Sequence, residues 1–228
     1  YFLRAYYSWK LQLPFAYRHC NRGEKGRAPY CDKEIFGNTT ERATGGTDVE
    51  QFQNWARVNL ANGVHSGTGR TGPRDDNTDY YTIPLTREAM LPGSVFADPY
   101  GHGYVIAAWV PQGVGTHGML IGADAQPDGT IGRRRFWRGT FLFTPDTTEA
   151  GAGFKRWRPI SYRGGKILST ANERIAEVRP EQPHSLEQYQ QGKDGWYDHV
   201  EALINPRPLS VDAGLEVLLG ALYEQVKA

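Results

Sequence analysis

The chain has 228 residues, with 26 Lys and Arg against 25 Asp and Glu and a formal net charge of +1. That length can bury a substantial core as one larger domain or two small ones. Balanced charge excludes a global field that would gather nucleic acid, and no apolar run approaches the roughly 20 residues that span a bilayer, so neither a nucleic-acid partner nor a membrane span is expected.

The chain opens on Tyr1 rather than Met and reads as a processed or partial product. Phe2, Tyr6, Trp9 and Leu13 recur at helical spacing, which predicts an amphipathic helix over 2–13 that Pro14 ends. From Phe15 to Gly46 the chain is rich in Gly, Arg and Asn without periodicity, a long irregular excursion. It holds both cysteines, Cys20 and Cys31. Two cysteines eleven positions apart either close a small disulfide loop outside the cell or leave a free thiol. Without clustered histidines they make no zinc site, and neither a metal nor a cofactor is expected.

"TDVE" at 47–50 has the form of a capping box ahead of Val49, Phe52, Ala56 and Leu60, so a helix is expected from about 48 to 61. "VHSGTGRTGPRDDNTD" is a loop whose His65, Ser66 and Arg70 are read as lining a cleft. Its "GTGRTG" lacks the lysine of a phosphate-binding loop. "LTREAMLPG" predicts one helical turn from Thr86. The runs "SVFA", "YVIAAWV", "GMLIGA", "IGRRRFW" and "TFLF" are strand-like, and "FKRWRPI" adds a sixth. Residues 104–110 lack polar alternation and predict a central strand covered on both faces. "AQPDGT", with Pro127, Asp128 and Gly129, supplies a tight turn. The opening of a calcium loop at Asp124, Gln126 and Asp128 is not completed, because position twelve is Arg135 rather than Glu. After Ser169, helices are expected at 170–178, 185–191, 197–204 and 211–227, the last capped by Ser210 and striped by Leu215, Leu218, Leu219, Leu222 and Val226.

The predicted class is therefore α+β: a central antiparallel sheet of five to six strands flanked by N-terminal and C-terminal helices. The expected organisation is a core domain over 1–168 and a helical extension over 169–228 packed on it.

"LPGSVFAD", "GHGYVIA" and "GMLIGADAQ" follow one another between residues 91 and 126. This stretch resembles the second half of the NlpC-type cell-wall endopeptidases and the related CHAP amidases, which are papain-like cysteine hydrolases; Ser94 stands where that family has an acidic residue. The resemblance implies that His102 is the general base, that Asp124 or Gln126 orients its imidazole, and that a cysteine thiolate attacks an amide in a peptide or cell-wall substrate. "LPFAYRHC" points to Cys20 as that nucleophile, although the family places it in a different context, at the start of a buried helix. It also implies an extracellular or periplasmic location.

A second constellation is basic and aromatic. On a strand, Arg133, Arg135 and Trp137 share one face, and with Tyr100 and Tyr104 they form a candidate surface for carboxylates or sulfates on an extended glycan. On this reading His102, Tyr100 or Tyr104 removes a proton beside a uronate carboxylate that Arg135 neutralises, or the surface binds without chemistry. A structural or interaction module is the third reading.

Overall fold

The computed structural model describes residues 1–126 and 128–227; Pro127, assigned to a turn from the sequence, lies outside the described residues. Its class is α+β, with a six-stranded antiparallel sheet flanked by helices at both ends of the chain. Helix α1 (Phe2–Lys10) is followed by a small ribbon of β1 (Ala16–Tyr17) and β2 (Phe36–Gly37). Helix α2 (Asp48–Trp55) runs through a π-helical turn at Ala56–Leu60 into the short α3 (Ala61–Gly63). The sheet comprises β3 (Tyr80–Thr82), β4 (Val95–Ala97), β5 (Gly103–Val110), β6 (Met119–Ala125), β7 (Ile131–Arg135) and β8 (Gly153–Trp157). A separate hairpin, β9 (Ile160–Arg163) and β10 (Lys166–Ser169), leads to α4 (Ile175–Val178), α5 (Gly192–Ile204) and α6 (Val211–Lys227).

The meander β4-β5-β6-β7 follows the chain, but β8 does not continue it. The spatial order is β3-β8-β4-β5-β6-β7, so β8 returns to pair between β3 and β4. The reason lies in residues 140–143, expected as a strand and found irregular. Phe141 and Phe143 are buried among the core aromatics, and their burial carries the chain across the face of the sheet. Strand β5 is not covered on both faces: Tyr104 and Ile106 are buried while Ala107 is exposed. Its apolar run reflects one core face and one thinly covered face.

The capping box at α2 is present, with the Thr47 hydroxyl accepting from the Glu50 amide and the Glu50 carboxylate accepting from Thr47. Helix α1 stops at Lys10, before the left-handed Gln12, and its face is turned from the expected one. Ala5 and Ser8 are buried while Phe2, Tyr6 and Leu13 are exposed. Small residues let the helix approach Trp55, Ala56 and Leu60 closely, and Trp9 stacks on Phe52 at 4.8 Å.

The main core crosses residue 168. Trp196, Tyr197, Val200 and Ile204 of α5 share one cluster with Phe96, Phe141 and Phe154. Trp196 stacks on Phe143 at 4.3 Å and on Phe154 at 5.6 Å. Residues 185–191 form only a short turn, Glu187–Tyr189, which positions the buried Gln188. The Gln188 amide nitrogen donates to the carbonyls of Ile83 and Phe154, and its oxygen accepts from the Phe154 amide. The Ile83 amide also donates to the Phe154 carbonyl at 3.4 Å, and the side chain satisfies the Phe154 amide and the Ile83 carbonyl beside that rung.

Candidate functional site

The turn joining β4 to β5 is built on one carboxylate. Asp98 is buried, and its Oδ1 accepts from the amides of Tyr100 at 2.7 Å and His102 at 3.0 Å. Its own amide donates to the His102 carbonyl, and Gly101 takes a φ of 108°, which only glycine tolerates readily. The pattern Asp-Pro-x-Gly at 98–101 is a turn signal, so this carboxylate was legible in the sequence. The turn holds Tyr100 out into solvent, 82% exposed, and leaves the His102 ring exposed, with Nδ1 3.9 Å from Asp98 Oδ2.

The side chain beside the His102 imidazole is therefore that of Asp98 and not the expected Asp124 or Gln126. Asp124 is buried on β6, where its Oδ2 accepts from Gln126 at 2.7 Å and from Arg134 Nε at 3.2 Å. Its charge is already balanced by that guanidinium. Tyr104, expected at the substrate, is buried in the core; its hydroxyl donates to the Thr140 carbonyl at 3.0 Å. Burial, with the nearby Asp98 and Asp124 charges, pushes that phenol up to about 12. It is a structural residue beneath His102, whose ring stacks on it at 6.0 Å.

Cys20 and Cys31 form a disulfide. The loop between them is folded back on itself: Asn21 and Tyr30 exchange hydrogen bonds, as do Glu24 and Arg27. A sulfur in a disulfide carries no thiolate, so in this state Cys20 has no nucleophile to offer His102. The imidazole held at Cys20 is His65, whose Nε2 lies 2.9 Å from the Cys20 carbonyl oxygen.

Arg70 joins the disulfide loop to the His102 turn. Its Nη2 donates to the Arg22 carbonyl at 3.0 Å and its Nη1 to the Pro99 carbonyl at 3.2 Å. Its Nε is buried with no partner among the described residues. Above it opens a cleft of about 690 Å³ whose wall includes Arg22, Lys25, Tyr100, Phe143, Glu149 and Lys193. The acids here are committed to the backbone or to a neighbour. Glu149 accepts from the Gly26 amide, Asp146 accepts from the Thr148 amide, which holds its carboxyl low, and Glu24 lies 3.9 Å from Arg27. Arg22, Lys25 and Lys193 pair with no carboxylate among the described residues.

The other arginine-rich surface is separate from this cleft. Arg133 and Arg135 do share a face, but both bind Glu224 of α6, at 3.2 and 2.8 Å. Trp137 lines a different, largely apolar cavity of about 580 Å³ with Phe136, Ile204 and Leu218. In "FKRWRP", Lys155 and Arg158 are buried, and Arg158 donates to the carbonyls of Asp75, Thr78, Tyr80 and Thr170. These cations are framework. Among the described residues no three His, Cys, Asp or Glu side chains converge as metal ligands, and no helix is long and apolar enough to cross a membrane.

Sequence reasoning missed Arg22, Lys25 and Lys193, which lie in segments without periodicity or motif. No family model, no curated protein and no solved structure matches this chain.

Proposed function

We propose that the cleft between the disulfide loop and the Asp98–His102 turn binds an anionic, hydroxyl-rich polymer, an acidic glycan. The observation that carries this reading is three cations without a carboxylate partner around a solvent-presented tyrosine: Arg22, Lys25 and Lys193 beside Tyr100. Cations that a protein leaves unpaired in a concavity favour carboxylates or sulfates, and an exposed phenol offers an apolar face to a sugar ring. Arg70 keeps the two sides of the cleft together, so the ligand meets a preformed surface. A disulfide persists in oxidising surroundings, which supports the extracellular or periplasmic location that this reading carries.

His102 belongs to the turn that carries Tyr100, so cleavage by proton abstraction is the enzymatic form of this reading. The amide-hydrolase reading needs Cys20 reduced, and the disulfide makes it the weaker of the two.

The test is titration of the whole chain with an oligouronate and with a neutral oligosaccharide of equal length. The expected result is binding of the oligouronate alone, weakening as salt rises, and reduced at least tenfold in Arg22→Gln/Lys25→Gln/Lys193→Gln. Tyr100→Ala weakens it further, whereas His102→Ala keeps binding and removes any cleavage. Equal affinity for the neutral chain, or an undiminished triple variant, sinks the reading. Amide hydrolysis that appears only after reduction, and is lost in Cys20→Ser, would replace it with the thiol mechanism.

A further inference from the structure

Helix α6 turns one face to the body of the protein and leaves the other bare. On the inner side Ala221 is buried, Val217 lines the apolar cavity with Phe136, and Glu224 holds Arg133 and Arg135. On the outer side Val211, Leu215, Leu219, Leu222 and Val226 are each roughly half exposed or more, and Leu218, at the rim of that cavity, is half exposed as well. Their spacing is symmetric about the midpoint between Leu218 and Leu219: reversing the helix puts Val211 on Val226, Leu215 on Leu222 and Leu218 on Leu219.

We propose that α6 pairs antiparallel with α6 of a second copy, making a two-fold dimer through this stripe. Three arguments choose this occupant over another partner. First, a two-fold interface must be self-complementary, each position meeting its symmetry mate, and a stripe whose apolar residues match in both place and type under reversal satisfies that requirement. Second, with Tyr223 included, the stripe exposes on the order of 800 Å² per copy, the area one partner contributes to a standard-size interface. Third, the charges agree: Asp212 flanks the stripe at one end and Lys227 at the other, so reversal brings each Asp212 near the partner copy's Lys227. The helix dipoles oppose in the same arrangement, which is favourable. Like charges would meet in a parallel pairing.

Sedimentation of the full chain tests this. The expected result is a monomer–dimer equilibrium that shifts wholly to monomer in Leu218→Glu/Leu219→Glu, with circular dichroism unchanged and the Cys20–Cys31 bond intact. Because the substituted side chains are already exposed, the fold itself should survive. Single cysteines then read the direction of pairing. Leu218→Cys alone should cross-link between copies. Val211→Cys alone should not, since about 22 Å separates the two equivalent positions along an antiparallel pair. Val211→Cys/Val226→Cys should. A wild-type chain that stays monomeric at high micromolar concentration, including one whose stripe instead binds a vesicle or another protein, overturns the proposal. So does a dimer indifferent to the glutamates, or one that Val211→Cys alone cross-links.

Discussion

Asp98 builds the turn that presents His102: one carboxylate oxygen accepts the His102 amide at 3.0 Å while the other lies 3.9 Å from its Nδ1. The histidine just ahead of β5 is thereby positioned by a residue four places earlier, through backbone as well as side chain. Asp98→Ala should lose about 2 kcal/mol, because two turn amides lose a buried acceptor. Asp98→Asn, which keeps an oxygen at the same place, should lose less than half of that. Urea unfolding of the two variants measures the difference, and equal losses would show that the hydrogen bonds do not hold the turn.

The disulfide should contribute to both stability and binding. Reduction, or Cys20→Ser/Cys31→Ser, is expected to cost about 3 kcal/mol through the loop it closes. Oligouronate affinity should fall with it, since Arg22 and Lys25 lie inside that loop. Calorimetric titration under oxidising and reducing conditions checks both, and an unchanged affinity would remove the loop from the binding surface.

Lys155 is enclosed on β8 with its ammonium donating to the Thr71 carbonyl at 2.9 Å. Burial, and secondarily the Arg158 charge, lowers it to about 7. The unfolded chain, with an ordinary lysine near 10.4, binds more protons than the native state between these values, so stability rises with pH across that window. The stability of wild type minus that of Lys155→Met should climb from pH 7 to pH 9.5. A difference curve flat over this range would mean that Lys155 titrates normally in the fold.

Gln188→Leu should be strongly destabilising although it adds an apolar group to the core. The Phe154 amide and the Ile83 carbonyl lose their partner together, for about 3 kcal/mol, while the Phe154 carbonyl keeps the Ile83 amide. Thermal unfolding measures it. A variant as stable as wild type would show that the two groups find other partners.

Much of the scaffold was legible because its signals are local. The capping box at Thr47–Glu50, four successive strands between Val95 and Arg135, and α6 over Val211–Lys227 appear where periodicity and turn residues put them. The return of β8 to β4 was not legible, because Phe141 and Phe143 are too short a signal to show that the chain crosses the sheet. The pairing of His102 was misread for a related reason. Asp124 stands on a neighbouring strand and Gln126 just past its end, but Arg134 had already claimed the Asp124 carboxylate.

The sequence by itself determined the class and the elements whose signals are local, the helix capped at Thr47, strands β4 to β7 and α6, since each depends on residues within a few places of one another. Tertiary structure decided which face of α1 is buried, that Cys20 is bonded rather than free, and that Arg22, Arg70 and Tyr100 belong to one cleft. Arg70 reaches Pro99 across 29 positions and Arg22 across 48. Contacts at such separations follow from how the core closes, and helical or strand periodicity carries no record of them.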